Sequence, residues 1–135
     1  MRILALDLGE RRIGVALSDA RAVLASPLTV LKCRSHDAER QAVAELVRKH
    51  QVERVIVGYP RNLDGSVGPQ AQWVHKYVQK LSAELSVPVA LWDERLSTVE
   101  AERLIHDTGR SVERERIDAA AAAVILQDYL DSNRP

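Results

Sequence analysis

Ile3-Leu4-Ala5-Leu6-Asp7-Leu8-Gly9-Glu10-Arg11-Arg12-Ile13-Gly14-Val15-Ala16-Leu17 is the stretch on which the fold turns. Ile3 to Leu6 is a continuous apolar run, the pattern of a strand buried on both faces in the middle of a sheet. Gly9 and Glu10 mark a turn, and Ile13 to Leu17 is a second apolar run. Two short strands joined through a glycine-containing turn predict a hairpin. A third strand is predicted from Val23 to Lys32, and Pro27 within it, which has no N–H for a ladder, assigns it to an edge. The opening residues superficially resemble a signal peptide, but the apolar run is short and Asp7 interrupts it, so a strand is the better reading.

Beyond the hairpin, strand and helix signals alternate. Ser35 can cap a helix over about His36 to His50, with Ala42, Val43, Leu46 and Val47 on its apolar face. Val55 to Val57 is a short buried strand ending at Gly58. Tyr59 to Gly68 is rich in Gly, Pro, Asn and Asp and predicts a loop. Pro69 suits the first turn of a helix whose apolar face carries Val74, Val78, Leu81 and Leu85. Val87 to Trp92 predicts another strand. Ser97 and Glu100 form a capping box for a helix that Gly109 can stop. Arg110 to Arg116 is expected to be a loop or a frayed helix start, and Ile117 to about Leu130 a final helix, apolar nearly all round and rich in alanine. The order β-β-β-α-β-α-β-α-α implies an α/β domain with a mixed sheet, antiparallel in the opening meander and parallel thereafter.

The 135 residues fit one domain over 1–135, and 46% hydrophobic content suffices for a core without disulfides. Cys33 stands alone, which favours a reducing compartment and a cytoplasmic location. No apolar run reaches the ~18 residues of a membrane span, so no membrane partner is expected. Lys+Arg and Asp+Glu balance at 19 each, whereas a nucleic-acid binder is usually basic. Aromatic residues are only 4%, with no Phe, which argues against an extended base-stacking platform. His36, His50, His75 and His106 share no spacing and are expected at the surface or its boundary.

Acidic residues stand where a core-seeking sequence would not put them. Asp7 ends the most apolar strand, Asp93 and Glu94 end the last strand, and Asp118 opens the most apolar helix. A carboxylate at the edge of a buried element is costly unless a cation pairs with it, and a divalent metal ion or an arginine can do so. Ends of neighbouring parallel strands meet at one sheet edge, so these acids can converge. Hard oxygen ligands without convergent His or Cys suit Mg2+ or Mn2+ rather than zinc. Each acid also has a plainer role. Asp7 can start the turn toward Gly9, Asp93 can pair with Arg95, Glu94 can be solvated, and Asp118 can be an ordinary helix-start acid in the first turn. The loop Gly58 to Gln70 ends at a helix N-terminus able to receive anionic oxygens, with Arg61, Asn62, Ser66 and Gln70 as side-chain contacts. Arg11, Arg12 and Arg95 are further candidates for a nucleic-acid backbone, as are Arg110, Arg114 and Arg116, although Glu113 and Glu115 dilute that last group.

Together, Asp7-Leu8-Gly9-Glu10-Arg11-Arg12-Ile13-Gly14-Val15-Ala16, the loop from Gly58, Asp93-Glu94-Arg95-Leu96-Ser97-Thr98 and Ile117-Asp118-Ala119-Ala120-Ala121-Ala122 resemble the YqgF/RuvX family. The resemblance runs over essentially the whole chain. It implies an RNase H-like fold, a five-stranded mixed sheet flanked by helices, and a nuclease site formed by Asp7, Glu94 and Asp118, with Asp93 as a helper. It implies Mg2+ or Mn2+ and phosphodiester hydrolysis of the two-metal-ion type. The implied role is 5′-end maturation of pre-16S rRNA, with resolution of four-way DNA junctions as the alternative. RNA is the favoured partner and structured DNA the second, in a monomer or a homodimer. Two other classes are weighed against it: an actin-like ATP-binding domain, which usually needs two such domains, and a non-catalytic RNA-binding or ribosome-associated module.

Overall fold

The computed structural model describes residues 1–9, 12–59, 69–93 and 111–133. Its elements are β1 (Arg2–Leu8), β2 (Ile13–Ser18), β3 (Ala25–Leu31), α1 (His36–Lys49), β4 (Val52–Tyr59), α2 (Pro69–Glu84), β5 (Val89–Asp93) and α3 (Ser111–Ser132). The five strands form one sheet in the order β3-β2-β1-β4-β5. β1, β2 and β3 pair antiparallel, whereas β1–β4 and β4–β5 are parallel. The mixed sheet expected from the sequence is therefore present, with β1 at its centre and Pro27 on the edge strand. The ladder shifts register where Ala16 meets Pro27.

Each sheet face has its own core. Leu4, Leu6 and Leu8 of β1 join Val43 and Val47 of α1 and Val74, Tyr77 and Leu81 of α2. On the other face Ile3 and Ala5 join Ala16, Ile56 and the α3 residues Ala122, Ile125 and Leu126. Successive strand residues alternate between the faces. The large leucines face α1 and α2. Small residues, Ala5 and Ala16, face α3 and let that helix lie close.

Several boundaries differ from expectation. β3 begins at Ala25 rather than Val23, because the Asp19 carboxylate accepts the amides of Val23 (2.8 Å) and Leu24 (3.2 Å) and holds them in a turn. β4 starts at Val52, ahead of its apolar run, because its ladder with β1 begins at Arg2. β5 starts at Val89, after Pro88, whose carbonyl accepts from the Val55 amide at 3.0 Å.

The largest correction concerns α3. It begins at Ser111, so of the two readings of residues 111–116, loop or helix start, the helix is the one present. Glu and Arg are strong helix formers, and acids near a helix start are favoured by its dipole. Asp118 consequently lies seven residues past Ser111, well beyond the first turn, and dipole stabilisation does not explain its position. The helix expected after Ser97 lies outside the described residues.

Candidate active site

The carboxyl ends of β1, β4 and β5 share one edge of the sheet. Leu6 pairs with Val57, Gly58 with Trp92, and Tyr59 with Asp93. At that edge Asp7 pairs across the hairpin with Gly14. Residues directly opposite in an antiparallel pair project to the same face. Asp7 shares the parity of Ile3 and Ala5, so its side chain is directed to the face that α3 covers.

Gly14 fixes how close α3 comes. A Cβ at Gly14 would stand 1.9 Å from the Asp118 carbonyl oxygen and 2.5 Å from its carbon. The helix backbone at Asp118 therefore rests on the Cα of Gly14, directly beside Asp7. Two acids 111 positions apart in sequence are brought to one place by a missing side chain. A glycine inside an apolar strand signals close backbone approach, so the clue was present in the sequence, although no role was assigned to it there.

The hairpin end contributes a cation. The Gly9 N–H donates to the Arg12 carbonyl (2.9 Å), closing the hairpin. The Arg12 Nε then lies 3.0 Å from Asp118 Oδ2. Both side chains are about one-third exposed (32% and 30%), while Asp118 Oδ2, the oxygen facing Arg12, is itself buried. Arg12, expected to contact a nucleic-acid backbone, is thus a direct partner of an acid. Its positive charge offsets some of the repulsion between two neighbouring carboxylates.

Among the described residues no three His, Cys, Asp or Glu side chains gather so as to hold a metal ion. The described donors are Asp7 and Asp118, a hard-oxygen pair. Magnesium is commonly held through one or two carboxylates with water and substrate phosphate completing its shell, so this donor chemistry fits such an ion and not zinc. Glu94, Arg95, Arg11, Arg61, Asn62 and Ser66 lie outside the described residues. The backbones of Asp93, at the end of β5, and Gln70, in the first turn of α2, are described.

The family described as "RuvX: Holliday junction resolvase" matches residues 1–132. The chain belongs to the RuvX family. RuvX relatives named "Putative pre-16S rRNA nuclease" match it over nearly their whole length. That of Caldanaerobacter subterraneus subsp. tengcongensis is 44% identical, covering 99% of both chains. That of Roseiflexus is 46% identical, covering 98% of this chain and 96% of the relative. That of Moorella thermoacetica is 47% identical, covering 97% and 95%. Among solved structures, Thermus thermophilus RuvC in complex with a Holliday junction substrate superposes with a TM-score of 0.59 at 18% identity, covering 98% of this chain and 94% of that one. A fowlpox virus resolvase bound to Holliday junction DNA gives 0.55 at 13% identity, covering 98% of each. This RuvX chain therefore has the RNase H-like fold of the resolvases. No helix among its described residues is long and apolar enough to cross a membrane.

Proposed function

We propose that this RuvX protein is a metal-dependent nuclease that hydrolyses phosphodiester bonds of RNA, acting in maturation of the 5′ end of pre-16S rRNA. The observation carrying this reading is the meeting of Asp7 and Asp118 across Gly14, at the sheet edge where β1, β4 and β5 end. The names of the relatives supply the substrate class. Asp7, Glu94 and Asp118 hold Mg2+ or Mn2+, with Asp93 as a further ligand.

A bound pair of ions supplies a water of lowered pKa and positive charge for the leaving oxygen. The chain's own residues do the rest. Asp7 lies one residue past the last β1–β4 pair, Leu6–Val57, and its own pairing with Gly14 of β2 keeps it in register with the Asp118 backbone. Arg12 pairs with Asp118 and orients its carboxylate, and would be released to the substrate phosphate if that carboxylate took a cation. Arg11, Arg61, Asn62, Ser66, Gln70 and Arg95 line the path of the nucleic-acid backbone.

Resolution of four-way DNA junctions is the second reading, favoured by the description of the matching family. Symmetric resolution needs two active sites and hence a dimer. Cleavage of structured RNA, single-stranded RNA and four-way DNA, each with Mg2+ or Mn2+, separates the readings. Asp7→Asn, nearly isosteric, is expected to abolish cleavage and leave the circular dichroism spectrum and melting curve in place. Undiminished cutting by that purified variant would overturn the nuclease assignment.

A further inference from the structure

At the end of the sheet away from Asp7, a cavity of about 510 Å3 opens between the start of β1, the β2–β3 turn and the end of α3. Its volume is in the ~300–1,000 Å3 range of small-molecule sites. Met1, Ile3 and Leu130 give it an apolar floor, and Arg21, Arg54 and Asn133 bring polar groups to it. None of its described lining residues is an acid, in a chain whose charges balance overall.

The walls are tied in place. Arg54 Nη1 donates to Tyr129 Oη at 2.6 Å, which fixes the guanidinium against the helix. The Tyr129 ring is held edge-on by Trp92 (centroids 5.2 Å apart), and Trp92 Nε1 donates to Asp128 Oδ2 at 2.7 Å. Across the cavity, Gln127 secures the turn that carries Arg21. Its Oε1 accepts from the Ala25 amide and its Nε2 donates to the Val23 carbonyl, both at 2.9 Å. Asp19, the acid of that turn, has its Oδ1 taken up by the amides of Val23 and Leu24.

Two guanidiniums over an apolar floor match a ligand that is anionic at one end and flat or apolar at the other. Planar guanidinium forks suit phosphate oxygens in particular. We propose that this cavity binds a nucleotide through its 5′-phosphate, with Arg21 and Arg54 on the phosphate and the base over Met1, Ile3 and Leu130. The site is separate from the acid edge: Ile3 and Asp7 are four residues apart on one strand, about 13 Å.

The test is equilibrium dialysis of the whole protein against radiolabelled nucleoside 5′-monophosphates at low salt in EDTA. Without a cation the carboxylates of the acid edge repel phosphate, and no cleavage is needed, so failure of the nuclease reading would not affect the result. Saturable one-site binding with Kd below about 1 mM is expected. Arg21→Gln/Arg54→Gln is expected to weaken it roughly tenfold or more, and the corresponding nucleoside to bind at least as poorly. Arg21→Gln alone, at an exposed turn, keeps the test decisive if the double variant melts early. Absence of saturable binding, or affinity unchanged by both variants, would overturn the proposal. A 5′-phosphorylated dinucleotide binding more tightly than the free nucleotide would support it with a strand end as occupant; equal binding would support it with the free nucleotide.

Discussion

At the scale of single residues, the candidate site depends on an atom that is not there. A methyl group on Gly14 has nowhere to go except into the α3 backbone at Asp118, which it would meet at 1.9 Å, with the Ala119 nitrogen at 3.2 Å. Neither contact is with a flexible side chain, so the helix itself has to move. Gly14→Ala is therefore expected to cost about 1–3 kcal/mol in urea unfolding, the usual range for overpacking. It is also expected to reduce cleavage by about a hundredfold at temperatures where the variant stays folded, because ~1 Å of misplacement suffices for that. A loss of activity no larger than the unfolded fraction would show that the spacing of Asp7 and Asp118 is not what matters. Asp7 was legible as an acid at a strand end, whereas Asp118, expected to open its helix, stands seven residues inside α3. The Arg12–Asp118 pair was not, because its members are 106 positions apart and each has an innocuous local reading.

Elements with local punctuation were readable, and those decided by distant packing were not. Ser35 caps α1 as its sequence position suggests, its hydroxyl accepting from the Ala38 amide at 3.1 Å. Pro69 opens α2, and Pro27 stays on the edge. The first six residues of α3 read only as a loop or a frayed helix start, because alternating charge masks helical propensity when no apolar face accompanies it. The α1–α2 contact was also invisible. It buries Glu39 (4% exposed) and Arg40 (5%), residues a pattern-based reading assigns to solvent. Arg40 binds Glu84 through Nε (3.0 and 3.2 Å) and also Asp37. Burial lowers the pKa of Arg40, but the Glu84 hydrogen bond and the charges of Glu84 and Asp37 outweigh it and leave it raised. Nearby, Tyr77 Oη donates to Glu39 Oε2 at 3.4 Å. Burial first, and the Glu39 charge second, push the Tyr77 pKa above its ordinary 10.0. The folded state thus holds that proton more tightly than the unfolded chain. Its contribution to stability is complete below pH 10.0 and is lost as pH rises toward the folded-state pKa. Tyr77→Phe, which cannot ionise, is expected to flatten the fall in unfolding free energy between pH 9 and about 11. A decline as steep as that of the parent would mean other groups govern alkaline unfolding.

For the whole molecule, electrostatics sets how it meets a polyanion. Cationic and acidic side chains are equal in number, so no general positive field steers nucleic acid toward the chain. Recognition must come from a few placed cations and from metal ions held by the acid edge. Of the proposed backbone contacts only Arg11, Arg12, Arg61 and Arg95 carry charge, and Arg12 is engaged with Asp118 until that carboxylate takes a cation. At most about four phosphates are then neutralised, so log affinity should fall with log salt at a slope no steeper than about −4. The measurement is binding of Asp7→Asn to a labelled pre-rRNA fragment in Mg2+, between 50 and 200 mM KCl, so that cleavage does not intrude. Arg61→Gln and Arg95→Gln should each make the slope shallower by somewhat less than about one, and leave the protein's melting temperature alone. A slope of about −6 or steeper would reveal a larger basic surface than these residues provide. Insensitivity of the slope to both substitutions would move the nucleic-acid path away from Arg61 and Arg95.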